Sequence, residues 1–174
     1  MQQADLYSKP AQFTIDSSSL MAMFNDEPGT SKLVIPGLWE RISQMIADGT
    51  IISHSEVLAE IKKDGKKGEE LFNWANSNKH VFKPHDEFAE GAVIRTMSAN
   101  YREFVNNYGK SSDAYADPWL IAQAKCRGLK IITQEKPDTS SKRPKLPNVC
   151  RDKTFDIHCF DLWELAKEQQ WKFR

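Results

Sequence analysis

The chain has 174 residues, 40% hydrophobic and 28% charged, with 24 basic and 24 acidic side chains that cancel. This length and composition, with a mean hydropathy of -0.60, suit one water-soluble domain with a real core. Balanced charge argues against a general polyelectrolyte-binding surface, and no apolar run approaches a membrane span.

The first ten residues are polar and read as a loose N-terminus, and residues 1–174 read as a single domain. Residues 12–16 (QFTID) form the first predicted strand, followed by a helix opening in Ser17, Ser18 and Ser19, whose hydroxyls suit its first turn. The apolar run at 20–24 is too short for a leader core and has no basic flank, so the expected compartment is the cytoplasm. Pro36 suits the start of a second helix, with Leu38, Ile42, Met45 and Ile46 at helical spacing before Gly49.

Residues 50–53 are the second predicted strand, and Ser53 or Ser55 caps a helix that turns Val57, Leu58 and Ile61 inward. A lysine-rich break bracketed by Gly65 and Gly68 precedes a helix with Leu71, Phe72 and Trp74. Asp86 then opens one long helix to about residue 107. Ser111 or Ser112 caps the next helix, expected over 113–127 and closed by Gly128. Residues 129–133 and 155–160 are the third and fourth strands, and a final amphipathic helix starts at Asp161. Between the last two strands, residues 136–148 read as one basic, proline-interrupted loop.

Helices separate successive strands, which requires long crossovers and a mainly parallel sheet of α/β class. Cys126, Cys150 and Cys159 lack metal-ligand spacing and read as reduced thiols, and the four histidines show no HxxxH or HxH pairing. Trp119 and Trp163 sit at core spacing and read as packing rather than as base-stacking platforms.

The chemistry lies in the carboxylates. Asp16 and Glu135 fall just beyond strand ends, where open parallel sheets bind ligands. Asp113 and Asp117 are four apart at the predicted helix start, and Glu56 and Glu60 repeat that spacing after the second strand. Two carboxylates about 4 Å apart repel by roughly 4 kcal/mol at an effective dielectric of 20. A cluster of them calls for a divalent cation, and an oxygen-only donor set suits Mg²⁺ or Mn²⁺. Plainer roles are open to each: Asp16 suits a helix cap, Asp113 and Asp117 suit a helix N-terminus, and Glu60 suits a solvated helix face.

In order and spacing, FTIDSSSL, VLAEI, SDAYADPWLIAQA and KIITQE resemble the PIN-domain nucleases. The segment PGLWE and the ending DLWEL…WKF are similar to a bacterial subgroup related to VapC-type toxins. The resemblance runs from Phe13 nearly to the C-terminus. It implies a three-layer α/β/α sandwich, Mg²⁺ or Mn²⁺ dependence and hydrolysis of RNA phosphodiesters. By resemblance, Asp16, Glu60, Asp113 and Asp117 are catalytic and hold the metal with Glu135, which replaces the family's aspartate. Ser17, Thr133 and Glu56 support them, and Lys136, Lys142, Arg143 and Lys145 contact RNA. A cognate antitoxin and a homodimer are the implied partners. The alternative is a catalytically silent PIN-like module that binds RNA or protein. A DxD phosphatase is disfavoured, because Ser18 stands where its second aspartate belongs.

Overall fold

The computed structural model describes residues 9–25, 29–63, 69–106, 115–138 and 144–173. Asp113, Lys142 and Arg143 lie outside them, as do Ser111 and Ser112. The strands are β1 (Phe13–Ile15), β2 (Ile51–His54), β3 (Phe82–Lys83), β4 (Lys130–Ile132) and β5 (Cys159–Phe160). They lie in the order β3-β2-β1-β4-β5, and each described pairing is parallel. In β1 and β2 every residue is buried, as a sheet covered on both faces requires.

The helices are α1 (Ser17–Phe24), α2 (Pro36–Ala47), α3 (Ser55–Lys63), α4 (Glu69–Ser77), α5 (Ala89–Asn100), α6 (Arg102–Asn106), α7 (Asp117–Arg127), α8 (Leu146–Cys150) and α9 (Leu162–Glu168). From β1 the chain steps outward through β2 to β3, then crosses to the other side of β1 for β4 and β5. Right-handed crossovers in the two directions put the helices before β3 on one face and those before β5 on the other. Phe24, Trp39 and Trp74 join α1, α2 and α4 into the first layer, with ring centroids 4.9 to 5.7 Å apart. On the opposite face α7 lies over β1, β2 and β4, flanked by α5 and α8. The architecture is a three-layer α/β/α sandwich around a parallel sheet.

Several local expectations are corrected. The long helix expected from Asp86 is two, α5 and α6, divided at Tyr101. Asp86 lies before the first of them, its side chain accepting from the Ala89 N–H at 2.9 Å. α7 begins at Asp117, with Tyr115 and Ala116 outside it, and Asp113, expected at the same helix start, lies outside the described residues. Neither serine caps α3; the Nδ1 of His54 accepts the Glu56 N–H at 3.1 Å instead. The basic stretch 136–148 runs into α8, whose second residue is Pro147, where a missing N–H costs nothing. Trp163 is 41% exposed rather than packed in the core. Gly128 closes α7 at φ +65°, the left-handed position that glycine takes without strain. Among the described residues no helix is long and apolar enough to cross a membrane.

Candidate functional site

The chain reverses direction across the sheet between β1 and β4, and such a switch point opens a crevice at the strands' carboxyl ends. Asp16 follows β1 there, and Thr133 and Glu135 follow β4. Asp16 is buried and caps α1, its Oδ1 accepting from the Ser19 N–H at 2.8 Å and its Oδ2 from the Ser18 hydroxyl at 2.6 Å. The capping role open to it from sequence is therefore real, and Thr133 also hydrogen-bonds the carboxylate.

Glu60 reaches the same crevice from α3. Its Oε2 accepts from the Ser17 hydroxyl at 2.6 Å and its Oε1 from the Ala116 N–H at 2.7 Å. Glu60 thereby ties α1 and α3 to the N-terminus of α7, where Asp117 is the first residue. The Ser18 hydroxyl accepts the Gln134 N–H at 3.0 Å and lies 3.5 Å from Thr133 Oγ1. Thr133 Oγ1 in turn accepts the Glu135 N–H at 3.0 Å, and Glu135 Oε2 accepts the Leu146 N–H at 3.4 Å.

Asp16, Glu60, Asp117 and Glu135 lie within one another's electrostatic reach. The protein around Asp117 and the charges of Glu135, Asp16 and Glu60 push its carboxyl well above the usual range. Burial raises Glu135, and the charge of Asp16 adds to it, while Lys145 partly offsets both. Burial also raises Glu60, with the charges of Asp16 and Glu56 adding to it and its two donors opposing. Burial raises Asp16 against the donors that hold it. Tyr115, missed in the sequence, hydrogen-bonds Asp117, and its phenol is pushed far up by burial and by that carboxylate.

The ion pairs described elsewhere in the chain include none of these four carboxylates. Among the described residues no three of these carboxylates bring ligand atoms within 4.8 Å of one another; oxygen ligands of this kind, drawn together, would suit a hard divalent cation rather than zinc.

The remaining expected residues are placed less centrally. Glu56 turns to His85, its Oε1 2.8 Å from Nε2. Lys136 is held by Asp161 at 2.5 Å, and Lys145 is exposed just before α8. A cavity of about 190 Å³ meets this group at Thr133 and Glu135, with Lys136, Arg151, Cys159 and Asp161 among its lining; Asp16, Glu60 and Asp117 do not line it. Arg151 was not expected there; it follows α8, the helix the sequence concealed.

The fold and this crevice define an α/β protein with an acidic pocket at its topological switch point. Residues 13–173 match the family model described as "Domain of unknown function (DUF4411)", and the chain belongs to that family. Among solved structures it is similar to the "Crystal Structure of FitAcB from Neisseria gonorrhoeae", at 18% identity and a TM-score of 0.49, covering 87% of this chain and 99% of that one. Comparison with curated proteins gave no match.

Proposed function

We propose that the acidic pocket is the active site of a divalent-metal-dependent endoribonuclease of PIN type, and that the chain is the toxin of a toxin–antitoxin pair. The observation that carries this reading is the grouping of Asp16, Glu60, Asp117 and Glu135, whose carboxyl groups are all raised, first by burial and then, for the last three, also by the charge of Asp16. The motif order that resembles PIN nucleases supports the reaction class, and Asp113 belongs to the proposal on that resemblance alone.

Asp16, Glu60 and Asp117 would hold Mg²⁺ or Mn²⁺, with Glu135 at the rim. Such an ion, when bound, makes water a better nucleophile and offsets charge on the phosphoryl oxygens. Ser17 and the Ala116 N–H fix both oxygens of Glu60, and Ser18 fixes Asp16, so the donors are oriented in advance. Lys145 and Arg151 supply positive charge next to the cavity for the RNA backbone. A homodimer and an antitoxin that covers the pocket complete the proposal.

The test is cleavage of structured and unstructured RNA in Mn²⁺ by wild type, Asp16→Asn and Asp117→Asn, with folding checked by circular dichroism. Loss of cleavage in both folded variants is expected, and full cleavage by both removes the reading. A second reading, a silent binding module, is favoured by the glutamate at 135 and by the hydrogen bonds already made by Asp16 and Glu60. Metal binding by wild type without product over long incubation selects it.

A further inference from the structure

Between the ends of β2 and β3 and the start of α5, a second group of ligating side chains comes together. Parallel pairing of β2 with β3 sets His54 opposite Lys83, so His85 arrives two residues beyond the pairing. Glu90, in the first turn of α5, completes the group and is wholly buried. Ligand atoms of His54, His85 and Glu90 all lie within 4.8 Å of one another.

Two features distinguish this cluster from an ordinary buried hydrogen-bond network. Glu90 Oε2 is satisfied, lying 3.2 Å from His54 Nε2 and accepting the Asp86 N–H at 3.1 Å, but Oε1 is buried with no partner. His85 Nδ1 is likewise buried with no partner, while its Nε2 sits 2.8 Å from Glu56 Oε1. A carboxylate on one ring nitrogen fixes the tautomer that leaves the other nitrogen unprotonated, the arrangement found behind metal-bound imidazoles. Unpaired lone pairs on His85 and Glu90 thus occur in the same buried cluster.

We propose that His54, His85 and Glu90 bind a divalent cation of the zinc class, with Glu56 holding His85 in position. Two imidazoles and one carboxylate suit Zn²⁺ and its late first-row neighbours rather than Mg²⁺. Metal–ligand bonds of about 2.0–2.2 Å put tetrahedral donors roughly 3.4 Å apart, so the cluster must contract slightly. His85, on the half-exposed link before α5, is the ligand free to move.

At His54 the Glu56 N–H occupies Nδ1, which leaves the ring proton on Nε2 facing Glu90. Metal entry at Nε2 shifts that proton to Nδ1 and releases the Glu56 amide. The ring proton only changes nitrogen, from Nε2 to Nδ1, and none is gained or lost. The Trp119 ring, stacked within 15° of the His54 plane and edge-on to His85, walls the site. The cation would tie the ends of β2 and β3 to α5. None of these three ligands belongs to the proposed nuclease site, and the cation is of a different class.

The full chain, stripped with chelator and then freed of it, is titrated with Co²⁺ while visible absorbance is followed, and then with Zn²⁺. One equivalent of Co²⁺ should give the bands of a low-coordinate nitrogen–oxygen site, displaced by one equivalent of Zn²⁺ and retained in excess Mg²⁺. His85→Ala and Glu90→Gln should abolish this signal, Glu56→Gln should weaken binding on the order of tenfold or more, and Asp16→Asn should retain it. Circular dichroism establishes folding of each variant, and if Glu90→Gln does not fold, His85→Ala decides. No binding by wild type, an unaltered signal in folded His85→Ala, or a sulfur-to-cobalt charge-transfer band marking the cysteines overturns the proposal.

Discussion

Thr14 and Gln123, 109 positions apart, share a buried hydrogen bond of 2.7 Å from the Thr14 hydroxyl to the Gln123 side-chain oxygen. The Gln123 nitrogen donates onward to the Ser53 carbonyl at 3.3 Å, and the Ser53 hydroxyl to the Ile15 carbonyl at 2.7 Å. These bonds seat α7 across β1 and β2 directly beneath the acidic pocket. Gln123→Ala leaves Thr14 without its acceptor and opens a cavity. We expect a loss of about 2–4 kcal/mol, read as a lower urea midpoint, with RNA cleavage weakened because Asp117 is no longer held in place. An unchanged midpoint would show that α7 does not depend on this pair.

Asp117→Asn is expected to reduce Mn²⁺-dependent cleavage by a factor of about a hundred or more, the scale of a lost electrostatic contact at a reacting centre. The same change removes one of four mutually repelling charges. In chelator the variant should therefore melt higher than wild type, by roughly 2–4 °C for each kcal/mol relieved. Differential scanning calorimetry in the presence and absence of Mn²⁺ checks both signs. A lower melting temperature in chelator would mean that the carboxylates are not under mutual strain.

The pH dependence of the metal-free protein follows from the same cluster. Asp16, Glu60, Asp117 and Glu135 all have raised carboxyl groups in the folded chain. A raised acid binds its proton more tightly when folded, so its stabilising contribution is complete below the ordinary carboxylate range and is lost as pH climbs through its folded value. Asp48 and Asp161 are held low by Lys9 and Lys136 and act oppositely, but only below about pH 4. Urea midpoints in chelator should fall between about pH 5 and 8, and Mn²⁺ should flatten the decline. A midpoint that climbs over this interval contradicts the shared pocket.

Lys145 is exposed and faces the rim carboxylate Glu135. Lys145→Ala should leave the melting temperature within about 1 °C, because surface charges contribute little to folding. It should reduce the salt dependence of RNA binding by about 0.7 in the logarithmic slope, the value for one phosphate contact on a single strand. Fluorescence anisotropy with a labelled RNA across a salt series measures this. An unaltered slope would move the RNA path away from α8.

What the sequence revealed follows the strength of each local signal. β1, β2 and β4 are legible because they are apolar, buried and separated by helical periodicity. β3 and β5 have two residues each, too few to show any alternation, so one was missed and the other drawn too long. The break at Tyr101 is marked by neither glycine nor proline, and α8 is masked by the prolines around it. In the site, Asp16 and Glu135 could be placed from strand ends alone. Tyr115 and Arg151 could not, since their positions depend on how the segments flanking α7 and α8 pack. The meeting of His54 with His85 depends on a strand register that no spacing rule encodes.

Glu60 accepts hydrogen bonds from Ser17 and from Ala116, so it joins an early segment to a late one. A nascent polypeptide emerging from the ribosome cannot close this junction until Ala116 has been made, and the β4 strand beside Asp16 comes later still. Translation products cut short before Ala116 would lack the tie that Glu60 makes between α1, α3 and the start of α7.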